Sequence, residues 1–128
     1  MKQRLTADRT RFFFRLFLIG CQAVSIMATW NLWQFRTMPP LLPALPLPSF
    51  DMAALLLISL AVVVIRPRAG LIAHMIVLVY AMLTDQTRIQ PEFISIALLI
   101  WGTLPSVTAK TITRTHMITL WTWAGLNK

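Results

Sequence analysis

Polar residues gather in short groups along this chain, and apolar residues run in blocks between them. The first block, FFFRLFLIGCQAVSIMATWNLWQF, covers residues 12–35; the next three lie at 52–65, 71–84 and 91–107. A further apolar run, HMITLWTWAGL, gives a partial fifth over about 115–127. None of the blocks has the one-sided spacing of an amphipathic surface helix. Each is apolar around the whole circumference, as a lipid-facing helix is. A hydrocarbon core about 30 Å thick takes about 20 apolar residues of helix. The middle runs, at about 14–17 residues, are slightly short, which arginine snorkelling or local bilayer thinning can cover. The pattern predicts an all-α transmembrane bundle, one domain over 1–128, with four spans and a fifth begun.

The connections between blocks are equally legible. Trp30 and Trp33 mark the end of the first block as an aromatic belt would. A cleaved signal peptide is the competing reading, but the block is long and has no clear A-x-A site. TMPPLLPALPLP follows, and its prolines exclude a regular helix, so a polyproline-like segment at the membrane interface is expected. Pro40, Pro43 and Pro46 have P-x-x-P spacing, yet the topology places them outside, away from cytoplasmic SH3 domains. Asp51 is a candidate cap for the second helix. RPRAG reads as a tight basic turn, and Pro91 as the first residue of the fourth helix, with a kink expected at Pro105.

Charge then orients the chain. With the N-terminus inside, Lys2, Arg4, Arg9, Arg11, Arg66, Arg68, Lys110 and Arg114 are cytoplasmic. The outer connections hold Arg36 and Arg88 with Asp51, Asp85 and Glu92. This is the positive-inside distribution of a cell inner-membrane protein. The net charge of +8 is thereby assigned to topology and anionic lipid, not to nucleic acid, which needs one continuous basic surface on a folded domain. A 57% hydrophobic, 12% charged chain of 128 residues has too little interior to hide its apolar surface in water. Cys21, the single cysteine, has no intrachain partner and reads as a packing residue.

Candidate chemistry is sparse. DQTRIQPE, residues 85–92, concentrates hydrogen-bonding groups in an outward-facing turn. Asp85 and Arg88 there are either a solvated loop pair or part of a site for a polar headgroup or anion. His74 and His116 lie at similar depth and are candidates to bind haem or quinone. No P-loop, H-E-x-x-H or G-x-S-x-G motif occurs, and no metal site is indicated.

Asp85, Gln86, Arg88, Gln90 and Pro91 match D-Q-x-R-x-Q-P, and LWTWAGLNK matches [YW]-x-x-[AS]-G-[LV]-x-K. Over residues 78–128 the chain resembles the bacterial multi-pass membrane proteins of the DoxX-like, HTTM and vitamin K-dependent carboxylase-like group. The aromatic residue that usually follows the first motif is displaced by one place, with Glu92 preceding Phe93. The resemblance implies that Gly125 and Lys128 belong to a conserved-type helix, and that Lys128 is a candidate base, as in the carboxylase branch. Because an eleven-residue run cannot span a bilayer alone, the chain is expected either to be the front part of something longer or to have its last segment only partly inserted. Two other classes stay open: a redox subunit working through His74 and His116, and a structural or assembly subunit packed on another membrane chain.

Overall fold

The structure, a computed structural model, describes residues 2–38 and 40–126, with side chains from Ala7 onward. It is all-helical, and among the described residues there is no β-strand. The elements are α1 (Lys2–Ala28), a short α2 (Trp30–Trp33), α3 (Ala53–Ile65), α4 (Pro67–Thr84), α5 (Pro91–Gly102) and α6 (Val107–Leu126). A 3-10 turn, Gln86–Arg88, joins α4 to α5. The prolines keep 40–52 out of helix, as expected, and this segment is strapped across α4. The amides of Ala44 and Leu45 donate to the Leu83 carbonyl, and the Tyr80 hydroxyl donates to the Pro48 carbonyl.

Two helical segments, Ala7–Ala28 and Pro67–Thr84, are long and apolar enough to cross a membrane. Ala53–Ile65 and Pro91–Gly102 are apolar but shorter, so length and apolar character together qualify two helices, not four and a part. Within each block burial follows the helical period. Leu18, Gln22 and Ile26 of α1 face inward, as do Ala53, Leu56, Leu60 and Val63 of α3. Leu71, His74, Leu78 and Ala81 of α4, with Phe93, Ala97 and Ile100 of α5, complete the interior. Small residues recur where helices touch, since a small side chain lets two backbones approach closely. Gly70 is the tightest instance: a β-carbon there would overlap the backbone of Val62 and Val63. Gly102 serves the α5–α6 crossing in the same way, against Thr113.

Several boundaries differ from the expectation. α1 begins within the basic leader at Lys2, because nothing in residues 2–11 breaks a helix. α4 begins at Pro67 and not at residue 71, since proline is well placed in a first turn where its missing N–H costs nothing. RPRAG is therefore mostly helix, with Arg66 alone breaking the regular path. Asp51 does not cap α3; its carboxylate accepts the Phe35 amide at 2.6 Å, and Met52 precedes the helix without a side-chain cap. α5 stops at Gly102, so Pro105 lies between helices instead of kinking one.

α6 is the largest departure, a full 20 residues where a partial run over 115–127 was expected. Its start is set by Ser106, whose hydroxyl accepts the Ala109 amide at 3.0 Å in an N-cap arrangement. Thr111, Thr119 and Thr122 return their hydroxyls to carbonyls one turn back, which satisfies a threonine-rich helix without water. Trp33 is also reassigned. It is fully buried and packs edge-on against Phe93 at 4.8 Å, while Trp30 is the partly exposed member of the pair.

Candidate functional site

The turn at 85–92 is the most polar cluster in the described interior, and its construction starts from helix ends. α1 and α2 finish at Trp33 with carbonyls that no further helical turn can satisfy. α4 finishes at Thr84, and the extended backbone of Asp85 turns the chain back. The 3-10 turn then points Arg88 inward, where Ile89 and Gln90 lead into α5.

Arg88 is fully buried. Its Nε donates to the Leu32 carbonyl at 2.9 Å, its Nη2 to the Gln34 carbonyl at 2.9 Å, and its Nη1 to the Thr84 hydroxyl at 3.3 Å. The guanidinium thus ties the end of α1–α2 to the end of α4, using the fork geometry that a lysine lacks. Asp85, also fully buried, sits 3.7 Å from the Arg88 Nε. Its Oδ2 receives Arg36 at 2.8 Å. Its Oδ1 receives the Thr87 amide at 3.1 Å, the Thr87 hydroxyl at 2.8 Å and the Leu42 amide at 3.4 Å. The Gln86 amide donates to the Leu42 carbonyl at 2.8 Å, so the proline-rich segment is bound on both edges.

Electrostatics agree with this wiring. Burial opposes ionisation of Asp85, but the Thr87 hydroxyl and amide, the Leu42 amide and the Arg36 charge outweigh it, holding the carboxyl below its ordinary range. Burial lowers the Arg88 guanidinium, with Asp85 acting the other way. The chemical capacity of the cluster is therefore narrow. Both Asp85 oxygens already accept donors, and three Arg88 nitrogens are spent on oxygens of the same chain. Asp85 and Arg88 are thus committed to bonds within the chain, and the Arg36 Nε is buried without a partner. The cluster is a clasp.

The other residues singled out by sequence distribute around it. Gln86 is exposed on the rim and Gln90 is half-buried, without a side-chain cap to α5. Pro91 opens α5. Glu92 is exposed and accepts the Ser25 hydroxyl of α1 at 2.8 Å, while the displaced aromatic, Phe93, is buried against Trp33. Gly125 is exposed near the end of α6 with open space around its α-carbon, and Lys128 lies outside the described residues.

The histidines have different partners. His74 is fully buried, its Nδ1 2.8 Å from the Ser59 hydroxyl of α3. The same Ser59 hydroxyl lies 2.7 Å from the Leu56 carbonyl, so it links His74 to the backbone of α3. The His74 Nε2 is buried without a partner. His116 instead has its Nε2 3.0 Å from the Ser95 hydroxyl of α5. The two imidazoles serve separate helix pairs.

Sequence reasoning missed Arg36, which it treated only as an outer cation, and the Leu32 and Gln34 carbonyls. One signal was available: the outer connections contain isolated cations and acids in an otherwise uncharged chain, which invites pairing. The carbonyls had none. No protein-family model matches this chain, and no curated protein or solved structure is significantly similar to it.

Proposed function

We propose that this chain is a DoxX/HTTM-like, multi-pass inner-membrane protein with a cytoplasmic N-terminus, acting as a structural or assembly component rather than as an enzyme. The observation that carries the membrane reading is the division of charge between the two ends of the bundle. Arg15, Arg66 and Arg68 gather around one cleft with Leu104 and Pro105. Asp85, Asp51 and Arg36 meet the chain at the other end of α4. The 18 residues of α4 separate these ends by about 27 Å, close to the thickness of a hydrocarbon core. α3 and α5 lie antiparallel between the same two ends and are read as further spans, shortened at the expense of local thinning. The lipid bilayer is the first partner. The exposed apolar residues of α6, Ile118, Trp121, Trp123 and Leu126, suit lipid or a second membrane subunit.

A non-catalytic role is supported by the clasp, in which Asp85 and Arg88 bond to separate segments of the chain. The orientation is tested with reporter fusions. A periplasm-active enzyme joined after Thr87 should be active, and one joined after Arg68 silent. The opposite pair of results retires the orientation.

A redox subunit is the second reading, favoured by the buried, unpartnered Nε2 of His74. A ring nitrogen in that position suits a haem iron through its lone pair or, when it carries the proton, a quinone carbonyl. The absorbance spectrum of protein purified in mild detergent decides between them. A Soret band lost in His74→Ala supports haem, and a featureless spectrum removes it.

A further inference from the structure

The cleft at the basic end has a composition that the membrane reading leaves unexplained. It measures about 480 Å³ and is lined by Arg15 of α1, Arg66 at the α3–α4 junction, Arg68 of α4, and the apolar Pro67, Leu104 and Pro105. Arg66 and Arg68 are exposed and Arg15 is half-buried, held by its Nε on the Thr103 hydroxyl at 2.9 Å. That bond aims the guanidinium from a lipid-facing helix toward the α5 end while leaving its terminal nitrogens to other acceptors. Among the described residues none of the three arginines forms an ion pair, and no acid lines the cleft. The acids lie elsewhere: Asp8 faces Arg11, and Asp51, Asp85 and Glu92 are bonded at or toward the other end.

Three unneutralised guanidiniums around one cavity repel each other and favour an anion with several oxygens. The apolar floor beside them is wasted on a free ion but suits the glycerol and first acyl carbons of a lipid. We propose that this cleft binds the phosphate of an anionic phospholipid headgroup, with Arg15, Arg66 and Arg68 on its oxygens and Leu104 and Pro105 under its acyl chains. The proposal rests on the membrane reading above. It goes beyond general attraction to a negative leaflet by naming one site and its three cations.

Native mass spectrometry of the full chain released from mixed micelles measures the apparent affinities for phosphatidylglycerol and phosphatidylcholine. Each arginine at an anionic surface is worth about fivefold, so Arg66→Ala/Arg68→Ala should cost about 30-fold for phosphatidylglycerol and little for phosphatidylcholine. Arg9→Ala/Arg11→Ala removes equal charge outside the cleft and should keep the preference. Inorganic phosphate should not displace the bound lipid. Circular dichroism reports whether the double variant folds; if it loses helix, Arg68→Gln alone should cost about fivefold. The site is overturned if the cleft variant keeps the preference, if the control loses it equally, or if inorganic phosphate displaces the lipid. Carbonate extraction separates the two claims. A chain stripped from membranes by carbonate overturns the membrane reading and this site with it, whereas one that stays put without a lipid preference overturns the site alone.

Discussion

Arg88 and Asp85 behave as one unit, so their removal has different consequences. Arg88→Ala leaves the half-buried Leu32 and Gln34 carbonyls without their donor and removes a charge 3.7 Å from the buried Asp85 carboxylate, at a cost of about 1–3 kcal/mol for each carbonyl left unbonded. Arg88→Lys should recover part of this at most, since a single ammonium cannot reach both carbonyls in the plane of a fork. Unfolding in a denaturing detergent titration measures both. The pH dependence follows from the lowered Asp85 value. A carboxyl lowered on folding contributes its stability fully above the ordinary range near about 4, and loses it as pH falls through the lowered folded value. Thermal midpoints should therefore be level near neutrality and drop in acid. Asp85→Asn should start lower and show a flatter acid limb. Gln86→Ala, on the exposed rim, should leave the stability within about 0.5 kcal/mol of the wild type.

Helix contacts depend on where α-carbons meet, and glycine identity alone does not reveal this. Gly20 lies inside an apolar block and Gly70 at the end of the basic stretch RPRAG, yet Gly20 faces open space and Gly70 meets the backbone of α3. Gly70→Ala should force α3 and α4 apart at a cost of about 1–3 kcal/mol. Gly20→Ala should be neutral or stabilising by up to about 1 kcal/mol, through helix propensity. The same titration of both variants checks the contrast, and equal effects would contradict the packing described. Ser106 belongs to this scale as well. Its N-cap bond explains why a polar stretch, TAKTITRT, became the first half of α6, and S-x-x-A before a threonine-rich run was weak notice of it. The kink expected at Pro105 failed because a proline just before an N-cap ends one helix path and precedes another.

Across the whole molecule, the two ends of the bundle should lie on opposite sides of one membrane. In a Cys21→Ser background, Thr87→Cys should react with an impermeant maleimide from the outer face and Thr108→Cys from the inner face. Both positions are exposed. Labelling of both from one side would contradict the two-ended arrangement. The proline-rich segment is expected to stay anchored in this state, because its bonds run to α4 and to the turn at Asp85.

Composition and block pattern were enough for the all-helical class, for the order of the apolar helices and for the irregular proline segment, because those follow from local chain chemistry. They also isolated DQTRIQPE, since charge in an apolar chain needs a reason. The inner face of each helix was not readable, because blocks apolar on every side carry no moment to point with. Tertiary structure alone decided that Trp33 is core, that Gly70 is a contact, and that Asp85 and Arg88 are buried and not solvated. Those properties depend on which backbone atoms come near: the Leu32 and Gln34 carbonyls that hold Arg88 are present in every residue of every chain, and only folding brings these two to it.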